Sequence, residues 1–361
     1  MKILHSADLH LDSAFVGRSA DAIAALRRAQ LRLPGLLAEL CRAHGCDLML
    51  LSGDLFDGNW TMDSVDALRS ALAAAAVPVF ISPGNHDFCS PDSPWLRESW
   101  PENVHIFKEN TIQSVTVPSL NCRVYGAAFT SMDCGALLEN FAKEGDEQFH
   151  IAVLHGDPAQ KKSPYNPISQ AQVTASGLDY IALGHVHKAG SFRAGNTLCA
   201  WPGCPMGRGF DELEEKGVYL VTVEKQTQAE FIPLDTPRFY DLEVEILTDP
   251  AAAVESVLPA LGNEHHYRIT ITGEWDDLDT AALQEQFARF PNLELRNRTV
   301  PVTDLWACAG EDSLEGMYFG MLKSAMEEAD EEQQQLLTLA AKLSRRILDG
   351  REVVLPRRSI P

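Results

Sequence analysis

The sequence feature that most constrains the fold is a short apolar run that ends in a glycine and an aspartate. Residues 48–51 are all apolar, and Gly53 and Asp54 follow them. A fully apolar run of this length is typical of a strand buried on both faces of a parallel sheet. We therefore predict that this strand delivers the carboxylate of Asp54 to the C-terminal edge of the sheet.

Four further stretches repeat this pattern of an apolar run followed by polar residues that can bind metals. The side chains concerned are, in chain order, Asp8, His10, Asn85, His86, His155, His185 and His187. In open α/β sheets the ligand crevice lies outside the carboxyl ends of the strands. Strand ends that deliver aspartate, asparagine and histidine to one edge therefore predict a metal site.

Length and composition bound the class of protein. The 361 residues are enough for one large domain with one or two small ones. No apolar run approaches the ~20 residues that a membrane helix needs, and a first strand that begins at Lys2 leaves no room for a signal peptide. Eight cysteines are scattered without a C-x-x-C pair, which favours free thiols in a reducing compartment. These features predict a cytoplasmic protein with no membrane segment.

The charge of the chain is strongly acidic. The formal net charge is -21, and it is shared almost equally between residues 1–236 and residues 237–361. Phosphate contacts need lysine and arginine, so this balance argues against a free-standing nucleic-acid-binding protein. If the substrate is polyanionic, a local basic surface, bound metal ions or a partner must supply the attraction.

The ordered motifs resemble the signature of the calcineurin-like metallophosphoesterase superfamily, which runs D-x-H, GD, GNH with D or E, H, and GHxH. All of these elements occur here in that order. The resemblance implies a metal-dependent phosphoesterase hydrolase. It also implies an α/β fold (an α+β sandwich), in which a two-sheet β-sandwich is flanked by helices.

The motif residues divide naturally between two divalent metal ions. Asp54 is the expected bridge, because a carboxylate has two oxygens to share. The other ligands are expected in two groups, with Asp8, His10 and His187 at one metal and Asn85, His155 and His185 at the other. Mixed nitrogen and oxygen ligation without thiolates suits Mn²⁺, Fe or Zn, and the resemblance favours Mn²⁺.

Catalytic roles are expected for Asp54 and His86. Metal ions ~3.5–4 Å apart clamp a phosphate and make hydroxide available near neutral pH. His86 adjoins the ligand Asn85 and cannot easily share its metal. We therefore expect His86 to contact the phosphoryl oxygens and to protonate the leaving oxygen.

Several polar residues near the motifs are given no direct part in the chemistry. His5 is interpreted as a core histidine, because it should point away from Asp8. Asp57 and Asp87 are expected to orient a ligand histidine or a backbone N–H. Asp12 is expected in a turn, and Cys89 is expected to be an inert thiol.

The β-α-β-α-β order of the first part predicts a parallel-rich sheet with helices outside. Helices are expected over 20–44, with an interruption at Pro34, and over 62–76, capped by Asp63 or Ser64.

Later elements of the chain are less regular. A helix is expected near 136–142. Strands at 192, 197–200, 218–223 and 229–232 are expected to form an antiparallel second sheet. Beyond residue 236, strands over 242–247, 267–271 and 293–295 alternate with helices over 250–261 and 280–290.

The surroundings of the motifs are more specific than the motifs. Residues 5–13, 53–57 and 179–188 resemble the SbcD-type DNA-repair exonuclease family, and most closely its YhaO-like branch. Further similarity lies at 201–208, 216–221 and 348–353. The resemblance implies a Mn²⁺-dependent nuclease core, a small capping domain that helps to position DNA, and a C-terminal segment that docks an SbcC-type coiled-coil ATPase.

We therefore expect three parts in the chain. They are a metallophosphoesterase (nuclease) domain over 1–236, a small α/β capping domain over 237–300, and a C-terminal helical segment over 301–361. Apolar residues at helical spacing within 313–349 predict amphipathic helices. These helices either dock a partner or pack on the chain's own core, and a homodimer is also left open.

Three functions are consistent with these observations. The first is a DNA exonuclease or endonuclease of DNA repair that works as the nuclease subunit of an ATPase complex. The second is a small-molecule phosphodiesterase or phosphatase, which the acidic charge suits. The third is a non-catalytic assembly subunit, and the complete ligand set argues against it.

Overall fold

A computed structural model describes residues 1–302 and 304–350, which form two compact units. The first unit runs from Met1 to Phe239, and the second begins at Tyr240. The strands of the first unit are β1 (Lys2–Ser6), β2 (Leu48–Leu51), β3 (Val79–Ile81), β4 (Val104–Ile106), β5 (Gln113–Val117), β6 (Cys122–Gly126), β7 (Phe149–His155), β8 (Tyr180–Gly184), β9 (Gly190–Ala194), β10 (Thr197–Trp201), β11 (Gly217–Thr222) and β12 (Gln228–Pro233). Its α-helices are α1 (Ala20–Ala43), α2 (Met62–Ala75), α3 (Pro94–Arg97) and α4 (Gln170–Ser176).

The first sheet has the strand order β12-β11-β1-β2-β3-β4. Its strands β1 to β4 run parallel, as the β-α-β order predicts, and α1 and α2 make the first two crossovers. At the other edge β11 pairs antiparallel with β1, and β12 pairs antiparallel with β11.

The second sheet has the order β5-β6-β7-β8-β10-β9. Strands β6, β7, β8 and β10 are parallel, while β5 and β9 pair antiparallel at the two edges. The prediction of one antiparallel sheet from the strands between 192 and 232 is therefore wrong. Strands β9 and β10 join this sheet, whereas β11 satisfies the backbone groups at the free edge of β1 in the first sheet and β12 pairs with β11.

Most of the apolar core of the first unit lies in three layers, and the period of two in each strand decides which layer a side chain joins. Ile3 and Leu50 face inward and pack with Ile151 between the two sheets. Their neighbours Leu4 and Leu51 point the other way, towards α1 and α2. A third cluster covers the outer face of the second sheet beside α4. Two multi-stranded sheets flanked by helices confirm the predicted α/β sandwich.

Two helices of the first unit differ from prediction in their details. Helix α1 is continuous through Pro34, which is buried beside Leu33 and Leu37, so packing outweighs the lost backbone donor. The N-cap of α2 is Thr61 and neither Asp63 nor Ser64.

The cap of α2 explains the role of Asp12. The Oγ1 of Thr61 accepts from the backbone N–H of Ser64 at 3.3 Å. The carboxylate of Asp12 accepts from the N–H of Thr61 at 2.8 Å. Asp12 therefore ties the loop after β1 to the start of this helix, in addition to its place in a turn.

The helix expected near 136–142 does not form, and residues 137–140 make a turn. The backbone N–H of Leu137 donates to the side-chain oxygen of Asn166 at 2.8 Å. This hydrogen bond attaches the turn to a distant loop, and backbone bonds that span three residues, such as that from Glu139 to Ala136 at 3.2 Å, replace those of an α-helix.

The second unit contains a three-stranded sheet and four helices in the described part of the chain. Its elements are β13 (Phe239–Ile246), α5 (Pro250–Glu255), β14 (His266–Gly273), α6 (Thr280–Gln286), β15 (Leu293–Asn297), α7 (Leu314–Glu327) and α8 (Glu331–Leu348). The sheet order is β13-β14-β15, with β14 and β15 parallel. Both α5 and α6 end earlier than the sequence predicts.

Helices α7 and α8 form a pair that meets at the buried side chains of Phe319 and Ala341. Helix α8 also contacts the region of β13, because Lys342 Nζ donates to the carbonyl oxygen of Leu247 at 3.3 Å. Arg346 and Glu245 form an ion pair in the same place. The predicted divisions at residues 236 and 300 stay predictions, and the similarity at 351–353 lies outside the described residues.

Across residues 1–302 and 304–350, no helix combines the length and the apolar composition needed to cross a membrane.

Candidate metal centre

The structure brings all eight predicted site residues together. They are Asp8, His10, Asp54, Asn85, His86, His155, His185 and His187. His155 is the last residue of β7, and the others follow β1, β2, β3 and β8. These strands run parallel within their sheets, so their C-terminal ends present side chains in the same direction.

The backbone at the centre is turned sharply where the strands end. Asp8, His10, Asp54 and His185 have φ angles of 53°, 46°, 51° and 99°, in the left-handed region. Residues other than glycine are uncommon there, and such conformations cost of order 1–3 kcal/mol each. They persist when the surroundings over-determine them, which is typical of functional sites.

Two glycines make room for the ligands. A Cβ atom at Gly84 would lie 2.3 Å from Oδ1 of Asp54. A Cβ atom at Gly53 would lie 2.6 Å from Nδ1 of His155, and Gly53 also has a φ of 86°. Close approach therefore requires glycine in both the GD and the GNH motif, and at Gly53 the backbone conformation requires it as well.

Three histidines have their tautomers set by hydrogen bonds on the side away from the centre. The Nδ1 of His10 lies 3.0 Å from Asp57 Oδ1, that of His187 lies 2.8 Å from Glu212 Oε1, and that of His155 lies 2.8 Å from the carbonyl oxygen of Ser52. Each of these oxygens can only accept, so Nδ1 carries the proton in His10 and His155. The Nδ1 of His187 also lies 3.2 Å from Nη2 of Arg208, which can only donate, and the shorter contact to Glu212 assigns the proton to Nδ1 there as well. Each Nε2 in the neutral ring then directs a lone pair towards the centre.

The inward-facing atoms form a cluster of acceptors. The Nε2 atoms of His10 and His187 lie 3.0 Å apart. The Nε2 of His155 lies 3.0 Å from Oδ1 of Asn85 and 3.3 Å from Oδ2 of Asp54. Lone pairs that face one another repel unless a cation or a proton lies among them. The residues present therefore fit divalent metal ions.

Asp54 occupies the middle of this cluster. Its Oδ2 lies 3.3 Å from Nε2 of His155 and 3.9 Å from Nε2 of His10. Burial raises the pKa of Asp54, but the neighbouring histidines outweigh burial and hold it below its usual range. Burial likewise lowers the pKa of His155, and Asp54 raises it to about 9. Asp54 thus faces both groups of ligands, as a bridging carboxylate must.

The remaining ligands are held by other ligands. The Nδ1 of His185 lies 3.2 Å from Oδ1 of Asn85. Both carboxylate oxygens of Asp8 accept from the backbone N–H of His185, at 3.0 and 3.1 Å. His185 therefore faces the centre with Nδ1, whereas His10, His155 and His187 face it with Nε2.

His86 lies at the open side of the centre, with 42% of its side chain exposed. Its Nδ1 lies 3.0 Å from Oδ1 of Asp57, the same oxygen that contacts His10. The hydrogen bond to Asp57 raises the pKa of His86, and burial only partly opposes this. His86 can therefore hold a proton close to where a substrate would enter. Asp57 orients both rings, in agreement with its expected role.

The other polar residues of the motifs have structural partners. His5 is buried between Tyr180 Oη at 2.7 Å and Ser52 Oγ at 2.8 Å, which agrees with a core histidine. The carboxylate of Asp87 accepts backbone N–H groups, including those of Gly84 at 2.7 Å and Leu55 at 2.8 Å. Burial raises the pKa of the Cys89 thiol to about 12, which suits an inert residue.

Sequence analysis missed two residues of the centre, Glu212 and Arg208. Glu212 is buried and contacts His187, and Nη1 of Arg208 lies 3.8 Å from Oδ2 of Asp57. Arg208 falls in the loop that follows the last motif, but Glu212 carries no motif signal. Its contact with His187 spans 25 residues of sequence, and only the fold makes it.

Comparison with known families agrees with the geometry. Residues 1–189 match the family model described as calcineurin-like phosphoesterase. The match covers more than half of the chain, and this protein belongs to the calcineurin-like phosphoesterase family. Membership confirms the predicted class, a metal-dependent phosphoesterase hydrolase of a dinuclear metal-binding family.

One curated relative is the uncharacterized metallophosphoesterase YhaO of Bacillus subtilis (strain 168). It is 31% identical over 236 residues, which cover 62% of this chain and 57% of the relative. The matched part thus spans little more than half of the relative's length.

Among solved structures, TT1561 of Thermus thermophilus is 14% identical, with a TM-score of 0.40, over 64% of this chain and 98% of that one. A dimetal phosphatase from Danio rerio is 11% identical, with a TM-score of 0.41, over 63% and 95%. Similarity at this level carries no information on substrate.

Proposed function

We propose that this protein is a two-metal phosphodiesterase that cleaves DNA. In this proposal it belongs to the SbcD-type exonuclease family, in the YhaO-like branch, and acts in DNA repair as the nuclease subunit of a complex with an SbcC-type ATPase. The observation that carries the catalytic part is the complete set of metal-binding side chains, with a protonatable histidine at its open side. Similarity to YhaO supports the choice of branch.

The residues divide the proposed chemistry among themselves. When bound, divalent metal ions supply Lewis-acid activation of the phosphoryl group and of the attacking water. Asp54, Asp8, Asn85 and the histidine ligands would hold the ions, and Asp57 keeps the Nδ1 of His86 hydrogen-bonded at 3.0 Å. The Nε2 of His86 then remains to donate a proton to the leaving oxygen. Mixed nitrogen and oxygen ligation suits Mn²⁺, Fe or Zn, and we propose Mn²⁺ because of the resemblance to the SbcD-type family.

A partner is proposed because the charge of the chain opposes DNA. Helix α7 carries three exposed apolar side chains at helical spacing: Leu314, Met317 and Met321 are 83%, 57% and 74% exposed. We refer to these three residues as the α7 stripe. An unpartnered apolar stripe supports docking of another protein, and we propose the coiled-coil ATPase as its occupant.

A cytoplasmic location is proposed on the state of the thiols. All eight cysteines lie among the described residues, and all are free. Free thiols are typical of a reducing compartment.

A small diester is the second candidate substrate, because the net charge of -21 disfavours a polyanion. The deciding experiment supplies Mn²⁺ and compares single- and double-stranded DNA oligonucleotides with bis-p-nitrophenyl phosphate. Cleavage of DNA, with or without the ATPase, supports the nuclease. Hydrolysis of the small diester alone would favour the second candidate, and no turnover of any substrate would favour a non-catalytic subunit.

A further inference from the structure

The loop that follows β10 packs against the backbone of His187. The carbonyl oxygen of His187 accepts from the N–H of Cys204 at 3.3 Å and from Nζ of Lys216 at 3.3 Å. A Cβ atom at Gly203 would lie 2.4 Å from that same oxygen, so the loop lies directly against this residue. The side chain of His187 is held separately, by Glu212.

Glu212 is a buried carboxylate, with only 6% of the residue exposed. Its Oε1 lies 2.8 Å from Nδ1 of His187 and 2.9 Å from Nη2 of Arg208. Its Oε2 accepts from the backbone N–H of Arg208 at 2.8 Å. Arg208 therefore holds the carboxylate in place. Its Nη2 also lies 3.2 Å from Nδ1 of His187, and the carboxylate, at the shorter distance of 2.8 Å, orients the imidazole.

His187 needs such support more than the other histidines that face the centre with Nε2. The side chains of His10 and His155 are fully buried, so packing already restricts their rings. The side chain of His187 is 28% exposed, and packing alone leaves its ring freer to rotate. A hydrogen bond from the far nitrogen sets both the tautomer and the ring plane.

We propose that Glu212 is a positioning residue for the metal ligand His187. It holds the proton on Nδ1 and directs the Nε2 lone pair towards Asp8 and His10. The inference rests on the two-metal site of the proposed function. It adds that one of the two ions depends on a residue outside the signature motifs.

Titration of the metal-free full chain with Mn²⁺ tests this proposal by calorimetry. For Glu212→Gln we expect about 10–100-fold weaker binding at one site, with the other site close to wild type. Glu215→Gln is the matched control, since Glu215 is a neighbouring carboxylate that pairs with Arg238 and not with the centre. Equal affinity of Glu212→Gln and wild type at both sites would overturn the proposal.

A mutant cycle shows whether Glu212 acts through His187. In a His187→Ala background, Glu212→Gln should cause no further loss of Mn²⁺ affinity. A loss of the same size in both backgrounds would mean that Glu212 acts through another group, and the proposal would fail.

A spectroscopic measurement on the wild-type chain does not depend on whether any variant folds. Long-range ¹H–¹⁵N correlation of metal-free, ¹⁵N-histidine-labelled protein should show a proton on Nδ1 of His187. An unprotonated Nδ1 would overturn the proposal. If the wild-type chain bound no Mn²⁺ at all, the two-metal site itself would be wrong, and this result is distinct from failure of Glu212→Gln alone.

Discussion

At the scale of residues, Asp54 is the side chain that lies between the two groups of candidate ligands. Its Oδ2 faces His155 at 3.3 Å and His10 at 3.9 Å. An amide at this position keeps the size of the side chain but loses its charge and one acceptor oxygen. The substitution should therefore weaken metal binding at two sites and not at only one.

We predict that Asp54→Asn weakens binding of both ions. Elemental analysis of the Mn²⁺-reconstituted wild type should approach two ions per chain, and the variant should retain fewer at the same free Mn²⁺. Asp63→Asn, an exposed change in the first turn of α2, serves as the control. A wild-type chain that saturates with one ion would contradict the prediction.

His86 is expected to matter for chemistry and not for metal binding, because it contacts Asp57 and lies at the open side. In His86→Gln we expect turnover of DNA to fall by about 10²–10⁴-fold with both ions retained. The loss should be smaller for a p-nitrophenyl diester, whose leaving group needs no proton. An equal loss on both substrates would assign His86 to phosphate positioning.

His5 makes the stability of the fold depend on pH. Burial lowers its pKa from 6.5 to about 3 in the folded chain. The unfolded chain therefore binds the proton more readily than the folded chain. The contribution of neutral His5 to the free energy of unfolding is complete above pH 6.5. It is lost as pH falls towards about 3, by up to about 1.4 kcal/mol per pH unit.

We predict that His5→Gln reduces this pH dependence. Urea unfolding of the metal-free protein at several pH values below 6.5 should show a shallower loss of free energy of unfolding than in wild type. The variant should also be less stable at neutral pH, because the hydrogen bonds to Tyr180 and Ser52 are altered. Identical slopes in the two proteins would show that His5 does not titrate in this way.

At the scale of elements, the two C-terminal helices have different surroundings. Helix α8 contacts its own unit through Lys342 and Leu247, and its Ala341 is buried against α7. Helix α7 buries Phe319 but leaves the α7 stripe exposed. The two alternatives left open by the sequence, self-packing and docking, can therefore apply to different faces of one helical pair.

Substitution within the α7 stripe tests docking more sharply than truncation, which would also remove α8. We predict that Met317→Lys combined with Met321→Lys abolishes co-purification with an SbcC-type ATPase, while Mn²⁺ binding and hydrolysis of a small diester persist. Leu261→Lys is the control, because Leu261 is 82% exposed elsewhere in the same unit.

Two outcomes would contradict docking of an ATPase. Unchanged co-purification would show that the stripe is not its site. If the wild-type chain sediments as a dimer and the same substitutions dissociate it, the α7 stripe is instead a contact between two copies of this chain.

At the scale of the whole molecule, the net charge and the metal centre have opposite effects on the binding of a phosphate-containing substrate. The net charge of -21 repels a polyanion, while the metal centre is built to bind a phosphoryl group. Two divalent ions offset only a small part of that charge, so the proposed nuclease needs a partner or local cations such as Arg208. A small diester needs neither, and for this reason the substrate assay decides between the two functions.

The order of the motifs, taken with the apolar runs before them, was sufficient to predict the fold class and to nominate the residues that meet at the centre. This was possible because the information is local. An apolar run predicts a buried strand, and parallel strands present the residues after them at one edge. The same local logic failed where a distant partner decides the outcome. Strand β10 pairs with β8 in the second sheet, whereas β11 pairs with β1 in the first, and the expected single antiparallel sheet is absent.

The sequence by itself thus determined the class of the protein and the kinds of side chain at its centre. Only the tertiary structure decided that β11 and β12 extend the first sheet, which nitrogen of each histidine faces inward, and that Glu212 supports His187. Glu212 and His187 are 25 residues apart in the chain, and their Oε1 and Nδ1 atoms are 2.8 Å apart in space. A contact of this kind leaves no periodic or motif trace in the sequence, because it arises from the way the chain folds.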